Sequence, residues 1–152
     1  MSKITEKIAK LLALAESPYE EEAKAALMKT AGGAAIAQQY IASSFARDIR
    51  AYVVGDKVAA AMLRHNESGD FRANVAQGGK ADAYALSEAQ AALAVKTAQI
   101  LGCTFAGVDL LFGENGEMTV CEVNSNAHFA GISAATGVNI ADKIIEAVAQ
   151  RI

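Results

Sequence analysis

The sequence predicts an α+β fold, a mostly antiparallel sheet built from hairpins, with helices packed on one face and a helical hairpin in front. Apolar residues recur at helical spacing in residues 1–33, and from Ala34 onward the spacing changes to that of strands. Two short glycine-containing turns then join successive strands. The 152 residues, 53% of them hydrophobic, suffice for a domain over 34–152 with a small helical appendage over 1–33.

The composition of the chain argues against several classes of function. The chain has 14 Lys+Arg against 17 Asp+Glu, and a net charge of −3 argues against nucleic acid as the main partner. No apolar run approaches the roughly 18 residues of a membrane span, and the N-terminus lacks the apolar stretch of a signal peptide. We therefore expect a soluble, cytoplasmic protein that binds neither nucleic acid nor a membrane.

The first thirty-three residues predict two amphipathic helices. The first carries an apolar stripe, and Ser17-Pro18 then supplies the cap and first position of the second helix. Gly32-Gly33 ends this second helix. The apolar stripe of the first helix consists of Ile4, Ile8, Leu11, Leu12 and Ala15.

The next segment predicts a strand over Ala34–Ile41 and a hairpin of Asp48–Val54 with Lys57–Arg64. Gly55-Asp56 has glycine first, as in a two-residue type II′ turn. This turn predicts one apolar face from the pairs Ile49/Met62, Ala51/Ala60 and Val53/Val58, with Asp48, Arg50, Tyr52 and Lys57 on the other face.

The middle and the end of the domain are predicted to contain one long loop and two helices. His65–Asp82 is polar and glycine-bearing, with a short strand expected at Phe71–Val75. Ser87 to Gln90 forms a capping box for a helix that runs to about Leu101. Ile140, Ile144, Ile145 and Val148 mark a C-terminal amphipathic helix.

A second hairpin joins Thr104–Phe112 to Glu117–Asn124. Asn115-Gly116 is typical of a two-residue type I′ turn. That register predicts a buried face on which Val108 faces Val123 and Leu110 faces Cys121.

The other face of this hairpin carries the chemistry, because Asp109 is predicted directly opposite Glu122, with Asn124 two residues further on. Facing side chains have Cβ atoms about 4.5–5.5 Å apart, so two carboxylates there repel each other. The pair can be solvated, share a proton, be bridged by an arginine, or bind a cation. Asp, Glu and Asn oxygens are ligands that Mg²⁺ prefers.

Six segments, in order and spacing, resemble the C-terminal half of RimK-type ATP-grasp ligases, the ribosomal-protein glutamate ligases and their relatives. The resemblance covers residues 34–152. The segments are QQYI (Gln38–Ile41), RDIRAYVVGDKVAAAM (Arg47–Met62), FRANVAQGG (Phe71–Gly79), AGVDLL (Ala106–Leu111), CEVNSN (Cys121–Asn126) and ATGVNIADKII (Ala135–Ile145).

The resemblance implies an enzyme that joins a carboxylate to an amine through an acyl-phosphate made from ATP, with Mg²⁺ or Mn²⁺ as the metal. It implies metal binding by Asp109, Glu122 and Asn124, and nucleotide binding by Gln39, Tyr40 and Ile41. It also places three residues near phosphate or substrate, namely Arg50, Arg72 and Asn74. From the residues alone, the arginines can equally form ion pairs, with Asp48 or Asp70 as partners.

The sequence departs from the family at several points. Gln39 replaces a usual glutamate, and Ala76-Gln77 replaces a basic pair. The family's other lobe carries a Lys-Pro strand and a glycine-rich phosphate loop, whereas the single proline of this chain is Pro18. We therefore expect a catalytic lobe that is incomplete on its own. Another chain would complete it, or the lobe would be excised from a longer chain. We also expect it to form homo-oligomers. The alternative is a non-enzymatic, dimeric descendant that keeps the metal site without turnover.

Overall fold

A five-stranded sheet and three helices make up the part of the chain that the computed structural model describes, residues 39–67, 73 and 79–150. A short 3₁₀ turn, Ala42–Ser44, precedes the first strand. The strands are β1 (Arg47–Val54), β2 (Lys57–His65), β3 (Lys80–Ala83), β4 (Phe105–Phe112) and β5 (Met118–Asn124). The helices are α1 (Glu88–Ile100), α2 (Ala130–Thr136) and α3 (Ile140–Ala149). Among the described helices none is long and apolar enough to cross a membrane.

All neighbouring strands of the sheet are antiparallel, in the order β3-β2-β1-β4-β5. The strand β1 lies in the centre, and its last residues, from Ala51 to Val54, are all buried. The predicted fold class, α+β with a mostly antiparallel sheet built from hairpins, is therefore confirmed.

The sheet is covered on both faces, which corrects the expectation of helices on one face only. One core contains Ile49, Ala51 and Val53 of β1 and is closed by Ala94 and Ala98 of α1. The alternate residues of β1 point the other way and form a second core. Its buried members are Tyr52, Val54, Met62, Ala127, Ile132 and Ile140, the last two from α2 and α3.

The first hairpin has the predicted turn but not the predicted register. A type II′ turn requires positive φ at the first of its two central residues and not at the second. Gly55 has a φ of 65°, and Asp56 does not have positive φ, so both conditions are met. A bulge at Ala59 then shifts the pairing by one residue, so Ile49 faces Leu63 and Ala51 faces Ala61. Met62 consequently lies in the second core, on the opposite face from Ile49.

The second hairpin has the predicted pairing near the site, although its turn was predicted wrongly. The amide of Gly113 donates to the carbonyl of Glu117 at 2.7 Å, which leaves a three-residue loop, and only Gly116 has positive φ, 79°. A bulge at Cys121 compensates for the longer loop. Val108 therefore still faces Val123, whereas Leu110 faces Val120 instead of Cys121.

The remaining predictions divide into three groups. The capping box of α1 is present, with Ser87 and Gln90 bonding each other's backbone amides. The predicted C-terminal helix is present as α3, and the structure adds a cap, Asn139. Two short elements were not predicted: β3, which begins in the expected long loop and ends just after it, and α2. The helices of residues 1–33 and the strand Phe71–Val75 lie outside the described residues, apart from Ala73, and residues 39–41 of the expected strand Ala34–Ile41 are irregular.

Candidate metal and phosphate site

Three side chains form a row across three strands on the α2 side of the sheet. Arg50 of β1 pairs with Asp109 of β4, and Asp109 pairs with Glu122 of β5. The Asp109 side chain is 4% exposed and the Glu122 side chain is 61% exposed. The row therefore runs from the interior of the sheet to its surface, and the predicted juxtaposition of Asp109 and Glu122 is present.

Two arginines bind the Asp109 carboxylate. Arg50 donates from Nε to Oδ1 at 2.7 Å and from Nη2 to Oδ2 at 2.6 Å. Arg64 adds a bond from Nη2 to Oδ2 at 2.9 Å. Arg50 Nη2 also lies 3.8 Å from Oε1 of Glu122. Of the alternatives that the sequence left open for this acidic pair, the structure therefore has the arginine bridge.

The partner of Arg50 differs from the one expected for a surface ion pair. Asp48, a candidate for that role, instead accepts two bonds from Arg64, at 2.6 and 2.8 Å. Arg50 is bound to a buried carboxylate and is itself largely buried. The site therefore combines two arginines with three carboxylates in one connected network.

The carboxylates in this network differ in how readily they ionise. Burial opposes ionisation of Asp109, but the hydrogen bond from Arg50 and the charge of Arg64 hold its pKa below the usual value. Partial burial, together with the negative charge of Asp109 and a hydrogen bond to it, raises the pKa of Glu122. Burial also raises the pKa of Asp48 despite its bonds to Arg64. Negative charge is therefore fixed on Asp109, and Glu122 is more easily neutralised.

The chain that follows β5 passes closely over the site face. A Cβ on Gly107 would lie 2.7 Å from the Cβ of Ala127, so only glycine permits this approach. The Tyr52 hydroxyl donates to the carbonyl of Ala127 at 3.1 Å and holds the segment in place. Asn124, which pairs with Gly107, accepts a bond from the Asn126 amide at 3.0 Å.

The oxygen donors present suit Mg²⁺. Asp109, Glu122 and Asn124 lie on one face of β4 and β5, and Glu122 is open to solvent. Within the described ranges, no three His, Cys, Asp or Glu side chains form a metal-binding group. An ion here would therefore need Asn124 and further oxygens from water or phosphate, and Arg50 would have to release Asp109.

The other predicted site residues are less closely connected to this network. Gln39 and Tyr40 lie in irregular backbone, and Ile41 directly precedes the 3₁₀ turn. That turn is fixed to the end of β4, since Ser43 Oγ donates to the Phe112 carbonyl at 2.7 Å. Arg72 and Asn74 lie outside the described residues.

Arg64 was not singled out from the sequence, although it touches two of the three carboxylates. In the predicted hairpin register Asp48 would face Leu63, whereas the bulge at Ala59 brings Arg64 directly opposite Asp48. Opposite charges at facing positions stabilise a sheet, and this preference would have favoured the shifted register.

Comparison with known proteins identifies the relatives of this chain. The family described as RimK-like ATP-grasp domain matches residues 4–148. A probable alpha-L-glutamate ligase of Rhodopirellula baltica is 44% identical over 133 residues, covering 88% of this chain and 33% of the relative. A probable alpha-L-glutamate ligase of Picosynechococcus is 46% identical over 111 residues, covering 73% of this chain and 36% of the relative. The chain thus spans about a third of the length of these relatives.

Solved structures give the same result at the level of the fold. One match is the ATP-grasp ligase PsnB, solved in complex with a phosphomimetic variant of its minimal precursor, Mg and ADP. It has a TM-score of 0.60 and 25% identity, and the match covers 76% of this chain and 35% of PsnB. A RiPP-associated ATP-grasp ligase of Chryseobacterium gregarium matches with a TM-score of 0.57 and 14% identity, over 72% of this chain and 34% of that one, a likeness of fold alone. The described sheet, its acidic pair and these matches lead to one conclusion: the chain belongs to the RimK-like ATP-grasp family.

Proposed function

We propose that this chain forms the nucleotide- and Mg²⁺-binding lobe of an ATP-dependent carboxylate–amine ligase of the glutamate-ligase type. The observation that carries the proposal is the row of Arg50, Asp109 and Glu122 across three adjacent strands. Two features of the relatives support it: curated relatives bear the name probable alpha-L-glutamate ligase, and PsnB was solved with Mg and ADP.

The proposed roles follow from the chemistry of each group. Asp109, Glu122 and Asn124 would hold Mg²⁺, which supplies charge neutralisation to the phosphates of ATP. Arg50 carries a planar guanidinium that binds Asp109 through two nitrogens, and the same fork geometry suits a phosphoryl group. We therefore assign Arg50 to the phosphoryl oxygens once it has left Asp109. This arrangement would stabilise the charge that develops as the acyl-phosphate forms.

The remaining assignments are carried by family membership. Gln39, Tyr40 and Ile41 would contact the nucleotide, and Arg72 and Asn74 would line the substrate cleft. A carboxylate and an amine would be the substrates, with glutamate one of them by analogy with the relatives' names. The phosphate-covering lobe would come from a separate chain or from further residues of the same protein, in a cytoplasmic homo-oligomer.

Calorimetric titration with Mn²⁺ and ADP tests the metal site. We expect Glu122→Gln to weaken metal binding by at least about tenfold, because it removes an anionic ligand. Glu114→Gln is the matched control, since Glu114 is an exposed glutamate in the turn of the same hairpin. Equal affinity of wild type and Glu122→Gln would contradict the proposed ligand set.

An assay of ADP release with carboxylate and amine substrates separates the two functional alternatives. Turnover by this chain, alone or after addition of the complementary lobe, supports the ligase. Metal and ADP binding without turnover in either case supports the non-enzymatic descendant.

A further inference from the structure

Arg64 and Asp48 lie beside the proposed metal site, and the function proposed above gives neither a role. Arg64 is 7% exposed, although arginine is rarely buried unless it is paired. Its guanidinium holds Asp48 through two bonds, at 2.6 and 2.8 Å, and Asp109 through one, at 2.9 Å. One buried side chain of β2 thereby connects a carboxylate of β1 to a carboxylate of β4.

The two arginines on Asp109 are held differently. In the described part of the chain, both hydrogen bonds of Arg50 end on Asp109, and its ionic contact with Glu122 is longer, at 3.8 Å. Arg64 has a second anchor, because Asp48 faces it directly across the β1–β2 ladder and fixes its guanidinium. If Arg50 moves away, Asp109 therefore keeps one donor on Oδ2, and Oδ1 is released.

We propose that Arg64, held by Asp48, is a positioning residue that fixes the Asp109 carboxylate and leaves Oδ1 to a divalent cation. The inference rests on the proposed function, in which Asp109 is a metal ligand. A carboxylate that is already oriented loses less freedom when it binds an ion, so the anchor raises metal affinity without touching the metal. Partners that orient a metal ligand are typically worth about 10- to 100-fold in affinity.

Mn²⁺ alone is a suitable probe, because electron paramagnetic resonance reports both the bound fraction and the symmetry of the ligand field. Asp48→Asn keeps the size of the side chain and weakens the anchor of Arg64. We expect its dissociation constant for Mn²⁺ to rise about tenfold and the spectrum of bound Mn²⁺ to change. Arg64→Lys, which keeps the charge but lacks the planar fork, is expected to behave in the same way.

Leu63→Ala is the control for a merely structural role. Leu63 neighbours Arg64 on β2 but packs against the first core, on the opposite face of the sheet. The control should lower the melting temperature and leave Mn²⁺ affinity and the spectrum unchanged.

The outcomes are distinguishable. If Asp48→Asn and Arg64→Lys remain folded and bind Mn²⁺ like the wild type, or if Leu63→Ala weakens binding equally, the positioning role is wrong while the metal site stands. If the wild type does not bind Mn²⁺, or if Glu122→Gln does not weaken its binding, the proposed metal site fails, and the positioning role fails with it.

Discussion

At the scale of single residues, the buried negative charge of Asp109 determines the charge balance of the site. Two arginines compensate for the burial of this carboxylate. Asp109→Asn removes the charge and leaves Arg50 and Arg64 facing a neutral amide in a buried setting. Breaking a buried ion pair in this way costs roughly 3–5 kcal/mol, and we expect a loss near the lower end because Arg64 keeps Asp48. Urea denaturation of the wild type and of Asp109→Asn measures this loss in the free energy of unfolding.

The pH dependence of this contribution has a definite sign. The pKa of Asp109 is lower in the folded chain than its ordinary value, so the stabilisation is present above that ordinary value. It is lost as the pH falls through the depressed folded pKa. The stability difference between wild type and Asp109→Asn should therefore shrink on acidification, and a difference that is constant with pH would contradict the assignment.

Glu122 shows the opposite behaviour, because its pKa is raised by partial burial and by the negative charge of Asp109. Ionised Glu122 is disfavoured in the fold, so its stabilising contribution is present at low pH and lost as the pH rises through the raised folded pKa. In metal-free buffer at neutral pH, Glu122→Gln should therefore be as stable as the wild type or more stable. Its side chain is mostly exposed, so we expect a gain below about 1 kcal/mol.

Thermal unfolding with and without Mn²⁺ checks this prediction. Glu114→Gln, in the exposed turn, is again the control and should not change the melting temperature. A marked loss of stability in metal-free Glu122→Gln would show that the carboxylate supports the fold, contrary to its raised pKa.

At the scale of secondary-structure elements, the close approach of the post-β5 segment to β4 depends on Gly107. Gly107→Ala would place its Cβ 2.7 Å from the Cβ of Ala127, and either that segment or the strand would have to shift. Such overpacking typically costs about 1–3 kcal/mol. The added Cβ would lie 3.5 Å from Nε of Arg50, an ordinary van der Waals distance, so the contact with Ala127 is the cause of the expected loss.

Gly131→Ala is the control for Gly107→Ala. Gly131 lies in α2, and a Cβ there would meet nothing within 4 Å. Alanine favours a helix over glycine by up to about 1 kcal/mol, so this variant should be unchanged or more stable. Chemical denaturation of both variants tests the prediction, and equal effects would show that the approach of Ala127 is not the cause.

The elements also show how far sequence reasoning extends. Alternating polarity and glycine turns predicted both hairpins, and local capping chemistry predicted the limits of α1. The bulges at Ala59 and Cys121 could not be predicted from the turns, because a bulge depends on which side chains the two faces must bury. Asp109 and Glu122 were paired correctly because the bulge at Cys121 compensated for a turn one residue longer than predicted.

Short elements were missed for a different reason. The strand β3 has four residues, mostly exposed, so neither alternation nor hydrophobicity distinguishes it from a loop. It is held by pairing with β2, which is a tertiary contact. The helix α2 has seven residues and no side-chain cap, and its one local signal is Gly137 with a φ of 71° at its end.

At the scale of the whole molecule, the described unit exposes large apolar side chains at two helix surfaces. Ile100 at the end of α1 is 73% exposed, and Ile145 of α3 is 65% exposed. Both α1 and α3 border a cavity of about 530 Å³ at the Gly55 turn, lined by Gln99 and Lys143 among other residues. Neither isoleucine lines this cavity. Large apolar side chains exposed at a surface favour contact with another protein surface.

We therefore expect this chain to self-associate as its concentration rises, with Ile100 and Ile145 in the contacts between copies. The double variant Ile100→Glu/Ile145→Glu places charges where apolar burial would occur, and light scattering should show it at lower mass than the wild type. The matched control Gln99→Glu/Gln150→Glu adds the same charge to neighbouring polar positions and should retain most of the association. A wild type that stays monomeric throughout, or a control that dissociates as fully as the isoleucine variant, would contradict an apolar contact at these helices.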